Sequence, residues 1–71
     1  MRSVACAQRA VEEWNSANGP GTPVVRVDDI GREHRTKTRS MAWVCSGVAV
    51  VMVEGVAGGC DLRRIRRAED G

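Results

Sequence analysis

The spacing of apolar residues changes once along this chain, between Asn18 and Val24, and that change constrains the fold more than any other feature. From Ser3 to Asn18, Val4, Ala7, Val11 and Trp14 recur at intervals of three, four and three, while Arg9, Glu12 and Glu13 fall elsewhere on the wheel. That is the pattern of one amphipathic helix. Ser3 is placed to cap its start, and Asn18-Gly19 before Pro20 predicts a left-handed C-terminal cap near residue 18. Gly19-Pro20-Gly21-Thr22-Pro23 reads as a stiff turn, and beyond it the period is 2.

Val24-Val25-Arg26-Val27 is the first strand, and Asp28-Asp29-Ile30-Gly31 carries the Asp and Gly that a tight hairpin needs. The returning strand starts at Arg32 and alternates His34, Thr36, Thr38 and Ser40 with Glu33, Arg35, Lys37 and Arg39. Ser40 to Cys45 reads either as a short turn capped by Ser40 or as the end of that strand, and the turn is favoured. Ser46-Gly47 is a turn, and Val48 to Glu54, apolar on both faces, is a central strand. Gly55 to Gly59 forms a flexible turn. Cys60 to Ile65 is a last short strand, with or without a 3₁₀ turn, and Arg66 to Gly71 is a fraying polar tail. The whole is one α+β domain over residues 1–71: a helix to residue 18, then four to five antiparallel strands over 22–65 curling into a partly open barrel. With so few strands, closure or dimerisation protects the edges.

At 71 residues a folded chain buries only about 60% of the surface its unfolded form exposes, so one small core carries the stability unless subunits add to it. Trp14 and Trp43 are the only aromatics, which removes the stacking platforms of most RNA-binding and single-strand-binding modules. The first nine residues break off the apolar stretch that a secretory signal requires, so a cytoplasmic setting is expected. The thirteen-residue apolar run from Met41 to Val53 is shorter than the roughly 20 residues of a spanning helix, and no membrane partner is expected. Cys6, Cys45 and Cys60 are odd in number and spaced by 39 and 15 residues, which fits neither a disulfide framework nor paired zinc ligands. Buried reduced thiols are the expectation.

Three stretches together, Gly21 to Gly31, Thr36 to Trp43 and Val50 to Gly58, followed by Leu62-Arg63-Arg64-Ile65, resemble a family of short uncharacterised proteins of proteobacterial phages, prophages and mobile elements. The resemblance covers residues 14 to 65, and Thr36-Lys37-Thr38-Arg39-Ser40 with Val50-Val51-Met52-Val53-Glu54-Gly55 is its specific part. It implies a genomic setting and no activity. The layout is also similar to SH3-like barrels, found in adaptors, nucleic-acid-binding factors and small plasmid-borne dihydrofolate reductases. A shared fold does not carry function. The reductases' pore motif Val-Gln-Ile-Tyr has no counterpart here, the nearest segment being Cys60-Asp61-Leu62-Arg63, and reductase activity is set aside.

The strongest chemical feature is the basic strand face of Arg35, Lys37 and Arg39, with Arg63, Arg64, Arg66 and Arg67 near the end. Residues two apart on a strand project charges about 7 Å apart, near the phosphate spacing of a nucleic-acid strand. Against this, residues 20–40 hold five basic and three acidic residues and 60–71 hold four and three, so neither region is strongly basic. A solvated face is the competing reading. His34 with the three cysteines has no close-spaced ligand pair, so no metal or other cofactor is expected, and nothing near it in sequence identifies a nucleophile or an orienting carboxylate. Gly19-Pro20-Gly21 and the glycines of the 56–59 turn lack the Lys and Ser/Thr of a phosphate loop.

Trp14 lies on the helix's apolar face, whereas Trp43 sits between the basic and central strands. Aromatic and Arg side chains dominate contact energy where proteins meet, so Trp43, with Met41 and with Arg39 at the rim, is the expected protein-contact site. A Trp43 that plugs one end of the barrel is the alternative. The functional expectation is a non-enzymatic binding module that contacts a host or phage protein, possible inhibition of host defence included, with a homodimer as an option. The alternative is a nucleic-acid-associated factor working through the basic face.

Overall fold

A computed structural model of the chain describes residues 4–68. Helix α1 spans Val4–Ala17 and is followed by β1 (Pro23–Val27), β2 (Glu33–Lys37), β3 (Trp43–Cys45), β4 (Val48–Val51), β5 (Cys60–Asp61), a 3₁₀ turn (Leu62–Arg64) and β6 (Ile65–Arg67). The strands form two antiparallel three-stranded sheets, ordered β2-β1-β6 and β3-β4-β5. The fold is the expected α+β arrangement of one helix and a small open antiparallel barrel. It has six short strands rather than four or five, because two segments of two and three residues, β5 and β6, flank a 3₁₀ turn where a single strand was expected.

The first hairpin is built as its residues require. Gly31 N–H donates to Asp28 C=O (3.0 Å), Asp28 N–H donates to Arg32 C=O (2.9 Å), and Gly31 takes a φ of 85°. A type I turn closed by a left-handed glycine matches the twist of the flanking strands. After Lys37 the chain leaves β1 and runs beside the end of the β4 segment. Arg39 N–H donates to Met52 C=O (2.9 Å), Glu54 N–H donates to Lys37 C=O (3.0 Å), and Thr38 bridges Val53. This seam joins the two sheets. Thr38, only 1% exposed, ties it to the turn after the helix: its Oγ1 accepts from Thr22 N–H (3.1 Å) and donates to Gly19 C=O (3.0 Å).

Several boundaries differ from the sequence expectation, each for a local reason. Trp43 to Cys45 is a strand, not a turn, because Ser46 (φ 52°) and Gly47 (φ 79°) form a two-residue hairpin that pairs Cys45 with Val48 and Trp43 with Val50. The β4 strand stops at Val51, and only the Thr38 bridge continues the pairing to Val53. It is central in its sheet, as its apolar character requires. Asn18-Gly19 makes no left-handed cap. Instead Asn18 Nδ2 donates to Trp14 C=O (3.1 Å), beside its own N–H at 2.8 Å, and the left-handed glycine is Gly21 (φ 90°). Arg66 and Arg67 are not tail residues, since β6 pairs with β1 through Val24–Arg67 and Val25–Arg66. The expected Ser3 cap and the end of the tail lie outside the described residues.

Val24, Ala42, Val51, Val53 and Ile65 make the core, and Val11, Trp14, Val56, Cys60 and Leu62 pack against it. The helix therefore closes the barrel through Val11 and Trp14. Beside them Asn15 acts on the backbone: its Nδ2 donates to Ala42 C=O (3.0 Å) and its Oδ1 accepts from Ala42 N–H (2.9 Å). One side chain thus stands in for a neighbouring strand at the residue that enters β3, and the helix holds that edge. Among the described residues, no helix is long and apolar enough to cross a membrane.

Candidate functional site

Residues directly opposite in an antiparallel ladder share a face of the sheet. In the second sheet Trp43 faces Val50, Cys45 faces Val48, and Val50 also faces Asp61. Because Val51 and Val53 point into the core, Val48, Val50 and Trp43 point away from it. The result is an outward face that is almost wholly apolar. Trp43 is 39% exposed and Met41 48% exposed, and the core cluster contains Trp14 but not Trp43. The Trp43 ring rests over Gly59, where a Cβ would come within 3.4 Å of the ring and 3.1 Å of Val50. The sequence left Trp43 open as a barrel plug or a surface anchor. The ladder puts it on the surface.

The one acidic side chain of that face, Asp61, is held by Arg63, whose Nη2 donates to Asp61 Oδ2 at 2.6 Å and whose Nε donates to both carboxylate oxygens at 3.1 Å. These hydrogen bonds push the Arg63 guanidinium further up from its usual value. Beside Val48 a groove of about 330 Å³ lies between helix and sheet, walled by Cys6, Ala7, Ala10, Val48, Ala49, Leu62 and the Asp61–Arg63 pair. Neither the groove nor the role of Val48 and Val50 was legible as a site. The available signal was that β4 is apolar on both faces while a lone sheet of this size covers only one.

The basic residues are distributed differently from their sequence grouping. Arg35 and Arg66 flank Val25 from opposite sides on the outward face of the first sheet, 31 residues apart in sequence. Val25 is 4% exposed there, and the aliphatic stems of the two arginines are suited to cover it. Most of the charge is engaged: Arg66 with Glu33 (3.0 Å), Lys37 with Glu54 (3.7 Å), Arg64 with Asp29 (3.4 Å) and with Asp28 C=O (3.0 Å). Arg39 leaves the row altogether and donates to Val53 C=O and Val56 C=O, each at 3.2 Å, bracing the turn after β4. Arg67 lies opposite Val24, across the sheet from Arg66. The seven residues do not form one basic surface.

His34 does have a carboxylate beside it, which its sequence neighbours did not reveal. The hairpin folds Asp28 Oδ2 to 2.8 Å from His34 Nε2, while Asp28 Oδ1 accepts from Ile30 N–H (3.0 Å) and Arg32 N–H (2.9 Å). The His34 bond, then the Arg32 N–H, hold the Asp28 carboxyl below its usual range. A lowered folded-state value means that Asp28 contributes stability at pH above the ordinary carboxylate value, about 4, and that this contribution is lost as pH falls through the folded value. Wild-type protein is therefore expected to lose stability below pH 4 more steeply than Asp28→Asn, with thermal midpoints across pH 2 to 7 as the check. Parallel curves would show that Asp28 carries no pH-linked stability.

The cysteines also depart from expectation. Cys6 and Cys45 are exposed, because Cys6 lies on the rim of the groove and Cys45 on the outward face, and only Cys60 packs against the core. Among the described residues no three His, Cys, Asp or Glu side chains gather as a metal site. Compared with protein-family profiles, curated proteins and solved structures, the chain matches none.

Proposed function

We propose that this chain is a non-enzymatic binding module of phage or mobile-element type, which works in the cytoplasm by docking a host or phage protein on the outward face of β3 and β4. The observation that carries this reading is the division of labour between the two tryptophans. Trp14 serves the core, whereas Trp43 stays exposed on an apolar face next to Met41. Exposed aromatics on such faces are where contact energy concentrates. Blocking a host defence protein is a special case of the same action, since a chain of this size acts by occupying a surface. The basic residues favour this face indirectly: ion pairs engage Lys37, Arg63, Arg64 and Arg66, which weakens a nucleic-acid footprint.

The test is capture from nuclease-treated host lysate at high salt on immobilised wild-type protein, on Trp43→Arg and on the double variant Arg35→Glu, Arg66→Glu. A protein retained by the wild type and the double variant, and lost with Trp43→Arg, is the expected result. Retention that needs nucleic acid and vanishes with the double variant would overturn it in favour of the nucleic-acid reading, with binding falling steeply in salt.

A further inference from the structure

Strand β1 carries a charge on its inward face. Arg26 lies directly opposite Ile65 of β6 and two residues from Val24, so it starts on the same side of the sheet as those two core residues. Every other lysine and arginine among the described residues is exposed, whereas Arg26 is partly buried. Its guanidinium has no ion pair or hydrogen bond among the described residues. A cation drawn part of the way out of water without a partner costs stability, and an anion that answers it recovers that cost.

Arg26 lines the open mouth of the barrel. A pocket of about 340 Å³ lies there, between the hairpin end of the first sheet and the turn that leads into β5, and its walls include Arg26, Asp28, Arg64, Val56, Gly59 and Cys60. Barrel mouths are common places for small molecules to bind, in pockets of about 300–1,000 Å³. Part of this wall is apolar, since Val56 and Cys60 both pack against the core. The other charges around the pocket are already answered within the fold. Arg64 donates to Asp28 C=O (3.0 Å) and meets Asp29 (3.4 Å), the Asp28 carboxylate takes His34 and two amides, and Asp61 takes Arg63. One positive charge is left over beside an apolar surface.

We infer that the barrel mouth binds a small organic acid, with Arg26 on its single carboxylate and its apolar body against Val56 and Cys60. A carboxylate matches the planar fork of a guanidinium, which it engages through two parallel N–H···O bonds. One negative charge balances Arg26, whereas a dianion such as a phosphate monoester brings a second charge among Asp28, Asp29 and Asp61, which also border the pocket. A neutral ligand leaves Arg26 unanswered. The pocket goes beyond the proposed protein contact and is walled by none of Met41, Trp43, Val48 and Val50, so either reading can fail alone.

Titration with phenylacetate to about 20 mM, followed in ¹⁵N–¹H correlation spectra at pH 7 and constant ionic strength, tests it on wild type, Arg26→Met and Arg26→Lys. The expected result is saturable shifts at the amides of residues 26–29 and 56–61, with a dissociation constant of about 1 mM, ordinary for a ligand of about ten heavy atoms. Arg26→Met keeps an apolar stem and removes the charge, and is expected to weaken binding at least tenfold. Arg26→Lys keeps the charge without the fork and is expected to fall between. On the wild type, 2-phenylethanol and phenyl phosphate are each expected to bind at least fivefold more weakly than phenylacetate, a comparison that decides the case even where a variant does not fold. The inference is overturned by a wild type that shows no saturable shift, by shifts that map to the groove between α1 and β4, or by a folded Arg26→Met that binds as tightly as wild type. Tighter binding of 2-phenylethanol or phenyl phosphate overturns the assigned ligand class.

Discussion

Trp14→Ala is expected to unfold the domain at room temperature, while Trp43→Ala leaves it folded. Trp14 packs against the core cluster of Val24, Ala42, Val51, Val53 and Ile65 and is the largest side chain joining the helix to the barrel. Truncating a core tryptophan costs about 3–5 kcal/mol. A core in a chain of fewer than about 80 residues rarely supplies more than about 3–5 kcal/mol in total. The loss equals the whole margin, particularly where the buried apolar residues are valines and alanines apart from Ile65. Trp43 is 39% exposed and lies over Gly59, and its removal is expected to cost about 1 kcal/mol, within the ordinary range for a half-exposed side chain. Far-ultraviolet circular dichroism with urea titration measures both. Equal losses at the two positions would make Trp43 a core residue and remove the basis of the proposed contact.

Asn15→Ala carries the second large effect. It removes two hydrogen bonds at once and leaves both the N–H and the C=O of Ala42, a residue buried under the helix, without partners. Each buried group left unpaired costs about 1–3 kcal/mol, so a loss of about 2–3 kcal/mol is expected for the partly buried pair. Asn15→Asp does not rescue it, since a carboxylate accepts from Ala42 N–H but faces Ala42 C=O with a second acceptor. Ser16→Ala is the control: its exposed hydroxyl bonds only Glu13 C=O, and its loss shifts stability by no more than about 0.5 kcal/mol. If Asn15→Ala matches Ser16→Ala in a urea titration, the side chain is not what anchors helix to strand.

The acid limb of stability follows from the hairpin rather than from these contacts. Asp28 closes the Ile30 and Arg32 amides and meets His34, and its backbone carbonyl holds Arg64 of the 3₁₀ turn. One residue therefore couples the tip of the first sheet to the segment leading into β6. Protonating its carboxyl weakens that link where the backbone is most exposed.

The sequence by itself determined the elements whose signals are local. The three-four-three spacing of Val4, Ala7, Val11 and Trp14 dictates the helix, Asp28 to Gly31 dictates the first hairpin, and Ser46-Gly47 marks a turn, though not the strand Trp43 to Cys45 that enters it. The double apolarity of the run from Val48 to Glu54 marked a central strand, and the open α+β barrel follows from those pieces. What only the tertiary structure decided depends on which residues meet across long separations. No period distinguishes Asn15 from any solvated helix residue, yet it clamps Ala42, 27 residues away. Alternation placed Arg35 and Lys37 on one face, and only the tertiary structure could set Arg66 across Val25 from Arg35 and send Arg39 to the carbonyls of Val53 and Val56. Trp43 shows the same limit. Its partner Val50 is set locally by the Ser46-Gly47 hairpin, but which face of that hairpin meets the core is decided by Val51, Val53 and the helix packing together from distant parts of the chain.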